Sequence, residues 1–172
     1  MRLDRIKIVE YDARWPALFE QQRRRVEPLL VPWLARPIEH IGSTAVPGLP
    51  AKAIIDMAAV VRDYNECAAA FDELAALGWV SAPEPGDVAD RKWSLCFPTV
   101  ERRSHHLHVV EATSTGWQTW LAFRDHLRKT PADRDEYARI KRGLAEADDR
   151  DRPAYRAGKA PFIAGVLGGL GL

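Results

Sequence analysis

Cysteine is almost missing from this sequence, with only Cys67 and Cys96 among 172 residues. Two thiols so far apart make neither a zinc knuckle nor a disulfide framework. Each falls in an apolar pattern, Cys67 on a helical stripe and Cys96 in a strand-like run, so both read as reduced structural thiols. No apolar stretch approaches the ~20 residues that cross a bilayer as a helix. Met1-Arg2-Leu3-Asp4-Arg5 lacks the apolar segment of a signal peptide. A cytoplasmic protein with no membrane partner is the expectation. An excess of one charge is lacking as well. Lys and Arg number 25 against 24 Asp and Glu, a net of +1, which leaves no clear nucleic-acid footprint. Arg23-Arg24-Arg25 and Arg102-Arg103 read as a solvated helix face and a loop.

What is present is a globular composition, 47% hydrophobic and 28% charged, at a length suited to a single domain over residues 1–172. Trp15, Leu18, Phe19, Val26, Leu29, Leu30 and Trp33 recur at helical spacing. Asp12 and Pro16 mark the start of that helix, and Pro28 and Pro32 its kink or end. Strand-like runs follow at 37–41 and 53–61. Asp63 with Glu66 opens a helix that Gly78 closes. Residues 81–90 read as loop, and 92–97 and 105–110 as strands. Helices carry Trp117 to Leu127 and, from Thr130-Pro131, Tyr137 to Leu144; a short apolar segment begins near Ala160-Pro161. Helix, two strands, helix, two strands and then helices fit an α/β fold of the α+β type, a mixed sheet with helices packed on it.

The informative stretch is His40-Ile41-Gly42-Ser43-Thr44-Ala45-Val46-Pro47-Gly48-Leu49-Pro50-Ala51-Lys52, followed by Ile54-Ile55-Asp56. A glycine-serine turn at a strand end lets backbone approach a phosphate, because glycine carries no Cβ. Its N–H groups are dipoles aimed at an anion. A carboxylate on the next strand can hold Mg²⁺ against the same phosphates. Gly-Ser turns followed by an aspartate also occur for structural reasons alone.

The full string is similar to the signature segment of the GrpB family. The resemblance continues in Tyr11-Asp12 with Trp15-Pro16, in Arg103 with His105-His106-Leu107-His108, in Leu121 to Arg128, and in Tyr137, Lys141, Tyr155, Lys159 and Phe162. It covers nearly the whole chain. GrpB proteins resemble the nucleotidyltransferase superfamily, and some are fused to the enzyme that phosphorylates dephospho-coenzyme A. In that superfamily the turn cradles nucleotide phosphates, one strand offers two acids separated by a residue, and a later strand a third. The resemblance thus implies a nucleotidyltransferase-like sheet, phosphate contacts from Gly42 and Ser43, and Asp56 as the first catalytic acid.

The sequence departs from that pattern at Ala58, where the second acid belongs. Only the i+2 position shares a strand face with Asp56. The later strand offers His106 and His108 on one face instead of an acid; Glu111 falls on the other face, as does His105. His106 and His108 either ligate a metal with Asp56, or hydrogen-bond backbone and solvent at a sheet edge. Imidazole suits Zn²⁺ or Mn²⁺ better than Mg²⁺. His40 either touches a phosphate or orients the loop. Lys52 and Arg124 are cationic candidates for a phosphate-bearing ligand, with an ion pair to Asp125 the plainer reading of Arg124. Lys141 and Lys159 either reach back toward the site or lie solvated on their helices. Trp117 and Trp120 read as core. The expected partner is a nucleotide or phosphorylated small molecule with a divalent metal, Mg²⁺ or Mn²⁺ with Zn²⁺ as an option. The chemistry is binding, or metal-dependent nucleotidyl transfer to an acceptor; a noncatalytic ligand-binding module and a His/Asp metal-dependent enzyme are the alternatives.

Overall fold

The structure is a computed structural model and describes residues 5–172. The amino-terminal segment read above as lacking a signal-type stretch lies, but for Arg5, outside the described residues. Five strands form one mixed sheet in the order β1-β2-β5-β4-β3. They are β1 (Glu39–Ile41), β2 (Ile55–Val61), β3 (Val80–Ser81), β4 (Lys92–Pro98) and β5 (Arg103–Glu111). β2 and β5 run parallel in the middle, and the other neighbours are antiparallel. The helices are α1 (Trp15–Leu30), α2 (Phe71–Ala76), α3 (Gly116–Lys129), α4 (Pro131–Ala147) and α5 (Arg152–Gly169). This is the expected α/β fold.

Strand alternation divides the two faces. On β2, Ile55, Met57, Ala59 and Val61 point to the main core; Leu107 and Val109 of β5 join them. Trp15, Val26 and Leu30 of α1 close this core with Leu74 of α2 and Trp79. Asp56, Ala58, His106 and His108 therefore face the other way. A second apolar cluster lies there, built by Val46 and Leu49 of the loop after β1, Leu127 of α3, and Tyr137 and Ala138 of α4.

Several boundaries differ from the sequence expectations, each for a local reason. Asp63 accepts the N–H groups of Asn65 and Glu66 at 2.8 Å each, but the chain winds first as a 3₁₀ turn over Glu66–Ala70 before α2. Gly78, at φ +93°, leads out of α2 in the left-handed region. β3 falls at the start of a segment expected to be loop, because Val80 and Ser81 pair with Cys96 and Leu95. The largest correction is α5. It begins at Arg152, not near Pro161: Asp151 accepts the N–H of Ala154 at 2.8 Å as the cap, and Pro153 occupies the first turn. Proline is tolerated there because its missing N–H has no intrahelical partner. The sequence carries the same signal twice, and only the first begins the helix; Pro161 lies within it. Trp117 and Trp120, expected in the core, are half-buried. Among the described residues no helix is long and apolar enough to cross a membrane.

Leu107 is fully buried at the centre of the sheet, between β2 and β4. Leu107→Ala removes its apolar volume and leaves a cavity that the flanking strands cannot collapse to fill. The expected loss is about 2–5 kcal/mol, read as a lower urea midpoint at unchanged m.

Candidate functional site

Pairing geometry builds the site. The antiparallel β1–β2 ladder sets Ile41 opposite Asp56, so Gly42, the next residue, passes directly over the Asp56 carboxylate. A Cβ on Gly42 would lie 2.6 Å from Asp56 Oδ2, and the residue adopts φ +72°. Both facts require glycine here. The parallel β2–β5 ladder sets Asp56 opposite His106 and Ala58 opposite His108. His106 Nδ1 lies 3.0 Å from Asp56 Oδ1 and His108 Nε2 3.6 Å from the same oxygen. Burial alone would raise the Asp56 pKa; the hydrogen bonds to His106 and His108 outweigh it and hold the carboxyl below the ordinary range. Asp56 is ionised at neutral pH.

Beside these groups is a cavity of about 190 Å³ whose walls include Gly42, Ser43, Lys52, Asp56, His106 and Lys141. Tyr137, Tyr155 and Lys159 complete its helical side. Lys141 is 2% exposed; its Nζ donates to Ser43 Oγ at 2.9 Å and to the carbonyl of Pro50 at 2.5 Å. Burial first, then the charges of Lys159, Lys52 and Arg142, push its amine down to about 7. Burial and Lys52 likewise push Lys159 down to about 8, while Asp56 pulls the other way. Lys141 stands over the Tyr137 ring at 4.9 Å, and Lys159 and Lys52 over Tyr155 at 4.6 and 5.6 Å. Aromatic faces stabilise cations that have lost water.

The remaining candidates hold the turn from behind. His40 is buried, stacks on Phe19 and shares a 2.9 Å hydrogen bond with Thr44 Oγ1. Arg124 does not reach the Asp56 cavity. Its Nη1 donates to the His40 carbonyl and to Glu39, each at 2.8 Å, and its Nε to Asp125 at 2.8 Å. Arg128 Nε donates to the Ala45 carbonyl at 2.9 Å. Glu111 accepts from Arg91 and from the Tyr64 N–H, and His105 Nε2 donates to the Leu18 carbonyl at 3.2 Å; both lie away from the site. β5 is central in the sheet, so neither His106 nor His108 occupies an edge.

Sequence reasoning gave no functional role to Tyr137 or Tyr155. The signal was present: Tyr137 precedes Lys141, and Tyr155 precedes Lys159, by four residues, one helical turn on the same face. Two such pairs on successive helices mark faces that meet one cavity.

A cation would find Asp56, His106 and His108, each offering one ligand atom, with these atoms within 4.8 Å of one another. The Nδ1 of His108 is buried with no hydrogen-bond partner, so that ring is held only from its Nε2 side, which faces Asp56. A pair of Mg²⁺ ions does not fit this donor set, because two-metal transfer uses several carboxylates and Ala58 supplies none. One borderline cation does fit two imidazoles and a carboxylate.

With this geometry in view, comparison with known proteins is specific. Residues 5–168 match the GrpB protein family. The chain belongs to the GrpB family. It is 35% identical to a UPF0157 protein of Halalkalibacterium halodurans over 94% of this chain and 80% of that protein. A UPF0157 protein of Streptomyces coelicolor is also 35% identical, over 94% of the chain and 82% of that protein. The crystal structure of GrpB from Enterococcus faecalis superposes with a TM-score of 0.83 at 27% identity, covering 96% of this chain and all of that one. A protein of Mycolicibacterium paratuberculosis named dephospho-CoA kinase is 27% identical over 92% of the chain, which spans 44% of that protein. GrpB membership agrees with a nucleotidyltransferase-like sheet.

The site also makes this GrpB fold acid-sensitive in a defined window. Burial first, then Arg128 and Arg124 working against Asp56, pushes His40 down to about 4. The unfolded chain takes up a proton near pH 6.5, and the folded protein only near 4. His40 therefore costs no stability above about 6.5, and stability falls as the pH drops from there to about 4, by about 3 kcal/mol at most. His40→Gln should flatten this part of the pH–stability curve. Chemical denaturation of both proteins at pH 7, 5.5 and 4 reads the difference.

Proposed function

We propose that the Asp56 cavity binds a nucleotide or another phosphate ester, assisted by one divalent cation on Asp56, His106 and His108. The observation that carries this reading is three lysines, Lys52, Lys141 and Lys159, converging on one small cavity beside a glycine turn and an ionised aspartate. Lys141 and Lys159, whose pKa values are lowered by burial and then by neighbouring lysine charge, gain when an anion enters between them. Gly42 and Ser43 approach the phosphates closely, and Lys52, Lys141 and Lys159 neutralise their charge. His40 and Arg124, grouped from sequence with the phosphate ligands, serve here by fixing the turn. A bound cation supplies Lewis-acid neutralisation of phosphate oxygens. Arg103 Nη1 lies 3.4 Å from His106 Nε2; as a guanidinium it can only donate, so His106 carries its proton on Nδ1, toward Asp56. Ligation through Nδ1 requires the other tautomer, with the proton on Nε2, so a cation held there shifts the His106 tautomer and displaces the Arg103 contact.

Ala58 favours a second reading, a ligand-binding module without nucleotidyl transfer. It is 2% exposed and carries no carboxylate, so Asp56 stands without the acid that brings a second metal. Both readings share the ligand and differ in turnover.

Calorimetric titration of ATP and pyrophosphate with Mg²⁺, Mn²⁺ and Zn²⁺ tests the binding. Mn²⁺ or Zn²⁺ should support it better than Mg²⁺, because imidazoles make up most of the donor set. Asp56→Asn should weaken the cation-supported part at least about tenfold while the melting profile remains cooperative, since it removes the charge and keeps the shape. Cation-supported binding unchanged in Asp56→Asn would refute the assignment. Brisk Mg²⁺-dependent pyrophosphate release that survives joint replacement of His106 and His108 by alanine would show that further acids act here.

A further inference from the structure

Ser43 stands between two cavities of opposite character. On one side is the lysine-lined cavity described above. On the other is an apolar cavity of about 150 Å³ that shares Gly42, Ser43 and Tyr137 with it. Its walls otherwise include Val46, Trp120, Phe123, Leu127, Ile163 and Leu167. Arg124, the one charged side chain in this wall, is already hydrogen-bonded to Glu39, Asp125 and the His40 carbonyl. The apolar cavity therefore suits a hydrocarbon or aryl group, not a phosphate.

We propose that Ser43 is a nucleophile with Lys141 as its general base, acting on an acyl ester or thioester whose acyl group enters the apolar cavity and whose anionic leaving group enters the lysine cavity. The geometry is that of a serine–lysine dyad. Ser43 Oγ is 2.9 Å from Lys141 Nζ, and the Pro50 carbonyl, 2.5 Å from the same nitrogen, takes an amine hydrogen and leaves the lone pair for the serine proton. Tyr137, one helical turn before Lys141, lines both cavities beside Ser43. The hydroxyl is half-buried and reaches both cavities. A lysine in a dry, cationic pocket is neutral for a useful fraction of the time near pH 7, as a general base requires.

In the reaction, Oγ attacks the acyl carbon while its proton passes to Lys141 Nζ. The intermediate collapses with departure of the alkoxide or thiolate, which takes that proton. Water then attacks the acyl-Ser43 ester by the same relay, releasing the carboxylic acid and restoring Ser43. This chemistry needs no second metal, so Ala58 does not impair it. The nucleophile and its base stand on the dyad and the apolar cavity. Only the anionic character of the leaving group rests on the phosphate reading above.

Labelling of the full chain with an alkyl fluorophosphonate, in which Oγ displaces fluoride, is the test. A single adduct that maps to Ser43 by peptide mass spectrometry is expected, and none on Ser43→Ala. Lys141→Arg retains the charge but cannot act as base near neutrality, and should slow labelling by about two orders of magnitude. Lys141→Met provides the same readout if the arginine does not fold, with melting curves checking both. The wild-type rate should rise with pH around a midpoint near 7. That midpoint belongs to the set facing Lys141: Lys52 from the loop, Tyr137 and Arg142 on α4, Tyr155 and Lys159 from α5, and Asp56 with His106 from the sheet. An absent Ser43 adduct in the folded wild type, or an unchanged rate in folded Lys141 variants, would overturn the proposal. Pyrophosphate separates the two readings. If it binds by titration and no adduct forms, the nucleophile fails alone; if Ser43 labels and pyrophosphate neither binds nor protects, the phosphate site fails alone.

Discussion

The parallel pairing of β2 with β5 sets Asp56 opposite His106, and the site follows from that register. A slip of β2 by one residue would turn Asp56 into the core, away from both histidines, and bring Met57 out. Burial prevents the slip. Met57, Ala59 and Val61 are all fully buried on the opposite face, and turning them outward would forfeit about 1.5–3 kcal/mol for each large side chain. The hydrophobic face thus fixes the position of polar groups that could not fix themselves. The β1–β2 ladder then places Gly42 over the carboxylate, and the turn bearing Ser43 begins there.

The turn itself is held by side chains drawn from distant sequence. Arg124 and Arg128 of α3 take carbonyls at its start and middle, and Lys141 of α4 takes the Pro50 carbonyl at its end. Val46 and Leu49 anchor it from within the second apolar cluster. Backbone carbonyls in a buried loop need such partners. Cations are apt partners here, because the loop presents oxygens inward. Structure and electrostatics are consequently joined: the helices that secure the loop bring positive charge around it, and Lys141 of α4 reaches the cavity, where Lys159 of α5 meets it.

How much of this was legible in sequence depends on the range of the interaction. Strand parity was legible in the alternation around Asp56 and Ala58 and in the His106/His108 spacing; it predicted which residues of each strand share a face, while the expectation of a second acid at Ala58 came from the family resemblance. The Gly-Ser turn was legible as local chemistry, although glycine is needed specifically because of Asp56, fourteen residues away. Arg124 could not be resolved from sequence. Its ion pair with Asp125 is local, but its contacts to Glu39 and the His40 carbonyl depend on where α3 crosses β1. The start of α5 was misplaced for a different, local reason: Pro153 and Pro161 send one signal, and the Asp151 cap on the Ala154 N–H marks the first as the start. Lys141 and Lys159 lay undecided between solvent and site, since a helical period shows a face without showing what it meets.

The juxtaposition of lysine and serine has an electrostatic consequence that links the two cavities. A positive Lys141 favours an anion beside it and keeps the serine proton on oxygen. A neutral Lys141 can accept that proton but attracts phosphate less. An anion bound against Lys52 and Lys159 raises the Lys141 pKa, because it offsets the positive charges that lower it. Full occupancy of the cavity by a highly charged ligand such as pyrophosphate therefore suppresses the nucleophile by charge as well as by blocking access. A leaving group of lower charge, held farther from Nζ, suppresses it less. The same three lysines thus set an upper limit on the charge that a reacting substrate can carry, and the apolar cavity across Ser43 supplies the binding energy that charge alone cannot.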